Sequence, residues 1–558
     1  MPLTSGKRAF LDVLTQEGVE YLFGNPGTTE LPLMDGLVEQ PSPTYVLALQ
    51  EAAVVAMADG YAQASGKLGV VSVHVAPGLG NALGMLYDAQ KAGAPLLVTA
   101  GQHDQTFNVT EPILWADLPP IARPFVKWSA EVRRLADLPR LVHRAAKTAL
   151  APPTGPVFLS LPADVLQAEG VVDLGAPTRV APRIRGDRAA VEAAAEALAR
   201  AERPLILAGD AVAQGDAHAE LVAVAEALGA PVYAEGVANT ASFPSSHPLF
   251  RGAFVRVAPA VRQVLSEADV LFSVGGDLLT LSLPSDVDPM PPGLEVIHLD
   301  TDPWELGKNY PAAVAILGDP KATLPDLLAA LEARMTPARR RRARERLEAT
   351  RAAKARHADE LRARARAEMP RVPITPLAAI AAVADAVPPE AVVVDESISS
   401  SGGLRTLLRS DDPRSFFGLR GGGIGWGLPA AIGVKLALPD RPVVGLIGDG
   451  SAMYTCQGLW TAARYRLGVT FVILNNASYR ILKQRIHAMK GLAAQEDRYI
   501  AMDLEDPRVD FVRLAESLGV RAERIEKAPD LGPALSRALA ASGPTLLDVT
   551  LDRSFKPA

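Results

Sequence analysis

Cysteine is almost absent from this chain of 558 residues: Cys456 stands alone. No disulfide can form within it and no CxxC metal site is possible, which fits a reducing, cytoplasmic setting. No apolar run reaches the roughly 18 residues that a membrane-spanning helix needs. The amino-terminal stretch MPLTSGKRAFLDVLTQEGVEYLF reads as an amphipathic helix rather than a signal peptide. Positive charge is not in surplus either. Lys and Arg number 57 against 63 Asp and Glu, a formal net charge of −6, so no global basic field draws in nucleic acid. The reading is of a protein that works on small molecules, away from membranes. What is abundant is Gly (45) and Pro (46), and both fall at the ends of short apolar runs, as β–loop–α junctions require.

At roughly 100–200 residues per domain, the length predicts three domains. Residues 1–175 alternate helical and strand patterns: 7–18 helical, 20–24 apolar, 46–49 apolar, 51–65 helical, 69–75 apolar, 80–92 helical, 95–100 apolar, closing on GPVFLSLP. Residues 186–335 repeat the alternation through RPLILAGD, APVYAEG, DVLFSVGGD and EVIHLDTD. Residues 372–558 do so again through AVVVDES, PVVGLIGDG, VTFVILNN and PTLLDVTL. Strands alternating with helices imply doubly wound parallel sheets, so the fold class is α/β throughout. Between the second and third blocks, 336–371 is a run of Ala, Arg and Glu with almost no apolar stripe. It reads as a solvated linker helix with i,i+4 charge pairs, because acidic residues are interleaved beyond the basic run Arg339–Arg342.

Two polar clusters carry the chemistry, each at the carboxyl end of an apolar strand, where open α/β sheets bind ligands. Gly448-Asp449-Gly450 ends PVVGLIGDG, and Asn475-Asn476 ends VTFVILNN. The glycines let backbone approach a phosphate, and a helix following Ser451 would point its positive end at the same place. One carboxylate, one amide oxygen and a backbone carbonyl are hard oxygen ligands suited to Mg²⁺ together with diphosphate oxygens. A turn Asp and a turn Asn pair are the plain alternative, which either cluster alone would favour.

GDG followed about thirty residues on by NN resembles the thiamine-diphosphate motif. The resemblance implies metal ligation by Asp449, Asn476 and the backbone oxygen of Ser478, with Gly448, Gly450, Ser451 and Tyr479 around the diphosphate. It extends over most of the chain. FGNPGTTELP, LALQEAAVVAMADGYAQAS, GLGNALG, ARPFVKWS, GPVFLSLP, GGGIGWGLPAAIGV and GDGSAMYTCQGLWTAA are similar to the benzoylformate decarboxylases, in the decarboxylase and acetolactate-synthase family of thiamine enzymes. The family pattern implies a pyrimidine-binding first domain, a middle domain and a diphosphate-binding third domain. It also implies a homodimer at least, often a homotetramer, with sites shared between subunits.

The cofactor supplies its own base through its 4′-imino form, provided that a carboxyl group contacts N1′ of the pyrimidine. Glu51 matches that carboxyl, in an apolar context that favours its proton-carrying form. Taken alone, a Glu at a helix start is a partner of the helix dipole. His74, at a strand end, matches an active-site acid/base. It separates decarboxylase-like members from acetolactate synthases, which tend to carry Ser-Gly-Pro-Gly there. Thr28 matches a serine that binds the substrate carboxylate, and it also suits an N-cap for a helix at 30–38. Asn25, Pro26, Gly27 and Asn81 fall within the matched cofactor segments. Ile424 matches the bulky residue that bends the cofactor, Gly422 the carbonyl that binds its 4′-amino group, and Ser397, Ser399 and Ser400 donors to diphosphate. The loop GLGNALG is not a dinucleotide fingerprint: its spacing is G-x-G-x-x-x-G and no acidic ribose partner follows.

The pattern breaks in two places. A second histidine of the relatives aligns with Ser282, which leaves that proton-handling position to a serine. In SYRILKQRIH, Gln484 and Arg485 stand where the relatives have adjacent aromatics, and Lys483 and Arg485 are gained; this argues against an aromatic substrate and, if a charge points inward rather than to solvent, leaves an anionic or bulkier acyl donor open. The expected activity is non-oxidative decarboxylation of a 2-keto acid to an aldehyde, with carboligase capability. The alternatives are an acyloin-forming or -cleaving lyase (acetolactate-synthase-like or 2-hydroxyacyl-CoA lyase-like), a flavin-dependent oxidase with FAD on the middle domain, and a non-catalytic cofactor-binding paralogue.

Overall fold

The apolar runs form three six-stranded sheets, every neighbouring pair parallel. They are seen in a computed structural model that describes residues 3–236 and 239–555. Strands such as Val157–Pro162 and Val469–Asn475 are buried at every position, as helices on both faces of a sheet require. In the first domain the strands lie in the order 44–47, 21–24, 69–73, 96–102, 157–162, 129–131. In the third they lie 416–418, 392–396, 443–448, 469–475, 545–550, 521–525. The two orders are the same relative to the chain, second-first-third-fourth-sixth-fifth. The middle sheet differs: 250–253, 232–234, 204–208, 270–274, 295–300, 314–317, the dinucleotide-fold order with its switch point between 204–208 and 270–274.

The first and third domains share one apolar core. Val54, Met57, Ala58 and Tyr61 of helix Glu51–Ser65 pack with Leu428, Ala431, Ile432 and Val434 of helix Gly427–Ala437. Their backbones touch where the helices cross. A methyl at Gly60 would lie 2.3 Å from the Ala430 carbonyl oxygen, and one at Gly433 would lie 1.9 Å from that of Met57. Polar contacts extend the join: the Leu47 N–H donates to the Tyr465 hydroxyl at 2.9 Å, and Thr461 Oγ1 donates to the Leu47 carbonyl at 3.1 Å.

Helix Pro337–Glu368 is the long polar helix expected for 336–371, with only Ala343, Thr350 and Ala365 buried. It grips its neighbours through long cations rather than an apolar face. Arg346 donates to the Leu228 carbonyl, and Lys354 Nζ donates to those of Ser245 and His247 at 2.6 and 2.7 Å. Among the described residues no helix is long and apolar enough to cross a membrane. One expectation fails. GLGNALG is not a loop but lies within helix Val75–Ala92, which starts five residues earlier than the pattern suggested. Gly78 faces His74 and Glu51, with a methyl there 3.3 Å from His74 Cβ and 3.4 Å from Glu51 Oε1. Tertiary packing thus outweighs the low helix propensity of glycine.

Alanine is favoured over glycine inside a helix by about 1 kcal/mol, so Gly433→Ala tests the crossing by its sign. The methyl meets backbone that cannot rotate away. The substitution is expected to destabilise by about 1–3 kcal/mol, read as a lower urea midpoint, with the control Gly468→Ala near neutral.

Candidate active site

Three strand ends of the first domain converge on one carboxylate and one imidazole. The Gln50 side chain caps helix Glu51–Ser65 by accepting the Ala53 N–H at 3.0 Å, which fixes Glu51 as the first helical residue. Glu51 is buried and accepts from Asn25 Nδ2 at 3.2 Å and Asn81 Nδ2 at 3.1 Å. His74 leaves strand Gly69–Val73 as the N-cap of the next helix, and its Nδ1 lies 2.9 Å from Glu30 Oε2 and 3.1 Å from Thr29 Oγ1. Glu30 is itself held rigidly. Its Oε2 accepts the Gly27 N–H at 2.9 Å, and its Oε1 accepts Thr29 Oγ1–H and the Gly101 N–H, both at 2.8 Å. A carboxylate against Nδ1 puts the proton there and leaves Nε2 for a ligand. The hydrogen bond that its Nδ1–H donates to Glu30 holds His74 above the usual imidazole range, against the opposing effect of burial. Gly27 makes the fit possible, since a methyl there would sit 2.1 Å from His74 Nδ1.

Glu30 and Thr29 were not singled out in the sequence. Glu30 stands three residues after Gly27, the spacing at which a Glu side chain reaches back to a backbone N–H at a helix start, and that was the available signal. The N-cap expectation for Thr28 is not met. Thr28 is exposed at the start of a short 3-10 turn, Thr28–Glu30, and Glu30 occupies the N-cap of helix Leu31–Glu39, because its carboxylate folds back on the Gly27 N–H. Pro26 is exposed beside it. Ser282 is exposed on the middle domain, its N–H donating to the Arg256 carbonyl at 3.1 Å, and no hydrogen bond joins it to Glu51 or His74 among the described residues.

The second cluster lies on the third sheet. Gly448 ends its strand as the N-cap of a helical turn, Asp449–Ala452. The positive helix end is therefore at Asp449 itself and not after Ser451, and the next helix waits until Gly458. Asp449 is buried and accepts the Ser478 N–H at 3.2 Å. Burial pushes its carboxyl up to about 6, opposed by the surrounding backbone N–H groups. The two asparagines divide their tasks. Asn475 is structural, donating to Asp548 Oδ1 at 2.8 Å and accepting the Ala477 N–H at 3.1 Å. Asn476 is 4% exposed, and its Oδ1 has no protein partner. A buried oxygen without a donor costs about 1–3 kcal/mol. Beside a buried carboxylate, that vacancy fits a hard cation. The Tyr479 ring lies over Gly450, where a methyl would come 2.6 Å from Cε1.

Loop 421–424 is held by carboxylates from all three domains. Glu396 accepts the Gly425 and Gly427 N–H groups at 2.6 and 2.5 Å, and Asp88 accepts that of Gly423 at 3.0 Å. Asp59 accepts Trp426 Nε1–H at 2.7 Å. Arg420 binds Asp210 and, at 2.5 Å, Asp277 of the middle domain. Burial lifts Glu396 to about 7, Asp59 to about 6 and Asp88 to about 8. Gly422 is exposed with φ at +91°, a conformation that suits glycine, and Ile424 is half-buried.

The serines nearby divide. Ser397 Oγ donates to Asp395 Oδ1 at 2.5 Å, so its proton is committed within its own turn rather than free for a diphosphate. Ser399 Oγ and Ser400 Oγ instead accept from Arg480 at 3.2 and 2.8 Å. Lys483 is buried and paired with Asp503 at 2.5 Å, so its charge is already matched; Arg485 is half-buried on the same helix.

Three profiles of one family match the chain: the thiamine pyrophosphate enzyme N-terminal TPP binding domain at residues 4–113, the central domain at 191–327 and the C-terminal TPP binding domain at 399–549. A benzoylformate decarboxylase of Pseudomonas aeruginosa is 34% identical over 544 residues, 97% of this chain and 98% of that one. The acetolactate synthase isozyme 3 large subunit of Escherichia coli is 30% identical over 572 residues, 99% and 96% of the two chains. A thiamine diphosphate-dependent 4-hydroxybenzoylformate decarboxylase of Rhodococcus jostii superposes with a TM-score of 0.85 at 31% identity, covering 99% of this chain and all of that one. Similarity of this extent over all three domains makes the chain a member of the thiamine pyrophosphate enzyme family, a thiamine-diphosphate-dependent enzyme related to both the benzoylformate decarboxylases and the acetolactate synthases.

Proposed function

We propose that the protein decarboxylates a 2-keto acid non-oxidatively to an aldehyde and joins a second aldehyde to the same acyl unit as an accompanying carboligation. The observation that carries this reading is the His74–Glu30 pair at 2.9 Å, one strand end away from Glu51. Thiamine diphosphate, when bound, supplies the carbanion that adds to the keto carbon and takes up the electron pair as CO₂ leaves. Glu51, oriented by Asn25 and Asn81, holds a proton at N1′ of the pyrimidine. Asp449, Asn476 through its unpartnered Oδ1 and the Ser478 carbonyl hold Mg²⁺ against the diphosphate. Gly422 and Ile424 seat the pyrimidine, and Thr28 binds the substrate carboxylate. His74, its Nδ1 proton fixed by Glu30, delivers a proton from Nε2 to the acyl carbon that has lost CO₂. Ser282 adds a weaker hydrogen-bonding group from the middle domain.

Two features favour this over its rivals. The switch point of the middle sheet is acidic: Asp210 and Glu235 follow strands 204–208 and 232–234, Asp277 lies just past 270–274, and Arg420 closes on Asp210 and Asp277. Asp210 and Asp277 thus occupy that guanidinium at the crevice and leave it unavailable to a dinucleotide's phosphates, which weighs against a flavin oxidase. His74 stands where acetolactate synthases tend to carry Ser-Gly-Pro-Gly, which favours protonation of the acyl unit over its transfer to a second keto acid.

The crossing geometry supports a homodimer or homotetramer. Glu51 lies nine residues before Gly60, about 13 Å along the helix, while Asp59 at the crossing holds Trp426 at the far end of the pyrimidine loop. On this reading loop 421–424 of a second copy completes the site around each Glu51.

CO₂ release from a panel of 2-keto acids, with thiamine diphosphate and Mg²⁺, tests the activity. Glu51→Gln is expected to lower turnover by about 100-fold or more with the fold intact; no turnover from any acid, or unchanged turnover in the variant, refutes the reading. Asp449→Ala, or removal of metal by a chelator, is expected to abolish tight cofactor binding in calorimetry, and the chelated protein is expected to recover on adding Mg²⁺. Because Glu30 raises His74, the protonated imidazole persists to higher pH than a free one. Glu30→Gln therefore moves the alkaline limb of kcat to lower pH, and a limb that stays in place removes Glu30 from the mechanism.

A further inference from the structure

Arg480 is a buried cation without an acid. It is 3% exposed, and no carboxylate lies within the 4.0 Å of an ion pair among the described residues. All its acceptors are neutral oxygens. Nε donates to Ser399 Oγ at 3.2 Å, Nη2 to the Ser399 carbonyl and Ser400 Oγ, both at 2.8 Å, and Nη1 to the Asp552 carbonyl at 3.3 Å. The Asp552 carboxylate is engaged elsewhere, with Arg371 at 3.3 Å. A buried guanidinium is expensive unless a counter-charge offsets its desolvation, and the folded chain does not supply one in contact.

Its place explains what would. Ser399 and Ser400 follow strand Val392–Glu396, and Arg480 follows strand Val469–Asn475; strand Val443–Gly448, which ends at Asp449, runs between the two. Arg480 therefore ties together the loops on either side of Asp449, at the carboxyl edge where an anion is held. Asp449 and Asp552 are the acids whose fields reach it. A serine hydroxyl has one proton and two lone pairs. Ser399 and Ser400 spend lone pairs on the guanidinium, and neither donates to a protein acceptor among the described residues. Both O–H groups thus keep a proton to give, directed away from Arg480.

We propose that Arg480 is the counter-charge and organiser of the diphosphate subsite, holding Ser399 and Ser400 with their protons turned toward the phosphate oxygens. This rests on the cofactor reading above. A diphosphate carries more negative charge than one divalent cation beside Asp449 can balance, and Arg480 supplies a further positive charge at low dielectric, where it counts most.

The test is calorimetric titration, in Mg²⁺, of the parent and Arg480→Gln with thiamine diphosphate, thiamine monophosphate and thiamine. Arg480→Gln is expected to weaken thiamine diphosphate by about tenfold to a hundredfold, thiamine monophosphate less, and thiamine within about twofold. The parent's affinity should also fall more steeply with added KCl than the variant's. Equal loss for all three ligands, or no loss for the diphosphate, overturns the proposal. Should Arg480→Gln fail to fold, the double variant Ser399→Ala/Ser400→Ala keeps the guanidinium, still held by the Ser399 and Asp552 carbonyls, and removes both hydroxyls; unchanged diphosphate affinity there overturns the proposal as well. A parent that binds thiamine diphosphate no tighter than thiamine refutes the cofactor reading and this inference together. A parent that binds it tightly, with a variant that does so equally, refutes this inference alone.

Discussion

The close crossing of helices Glu51–Ser65 and Gly427–Ala437 is the constraint on which the rest of the molecule depends. Two glycines, Gly60 and Gly433, let backbone meet backbone, with no room for even a methyl on either side. Around that contact the first and third domains build a common core. The crossing also positions part of the candidate site, because Glu51 and loop 421–424 each adjoin a helix anchored there. Glu51 opens one helix. The loop carrying Gly422 and Ile424 leads into the other. Interiors packed this tightly are stiff, so the positions of Glu51 and of loop 421–424 follow from the crossing.

Buried carboxylates then fix the polar detail. Glu30 orients His74, Glu396, Asp88 and Asp59 hold the segment around loop 421–424, and Asp449 lies near an unpartnered amide oxygen. Those whose burial raises them most, such as Asp88 at about 8, stay protonated near neutrality and avoid the cost of a buried charge. Asp449 and Arg480 are different. Among the described residues neither has an opposite charge within the 4.0 Å of an ion pair, and both lie at the carboxyl edge of the third sheet.

Much of this was legible in the order of residues. Apolar runs bounded by Gly and Pro located most of the strands of all three sheets, because burial on both faces leaves a continuous hydrophobic signature. Helix 51–65 was read with the bounds it has. Strand ends marked Asp449, Asn476, Glu51 and His74, since in a parallel sheet the carboxyl edge is where ligands gather. The failures were local. Glycines in GLGNALG suggested a loop, yet the segment is helical, with Leu79 and Ala82 between them in the apolar core. Thr28 suggested a cap that Glu30 took. Ser397 suggested a diphosphate donor, but Asp395, two residues away, claims its proton.

The sequence by itself determined the fold class, the three domains, the cofactor family and the residues at its sheet edges, because each is a property of short segments and their periodicity. Only the tertiary structure decided which polar groups meet. Glu30 became the partner of His74 because a turn after one strand folds beneath the end of another. Asn475 and Asn476, adjacent and alike in sequence, took opposite roles because one side chain reaches Asp548 and the other does not. Arg480 looked like one more arginine in a mixed stretch. It became a buried, unmatched cation because two loops close over it. Pairing of this kind depends on distances across the sheet, which no local pattern records.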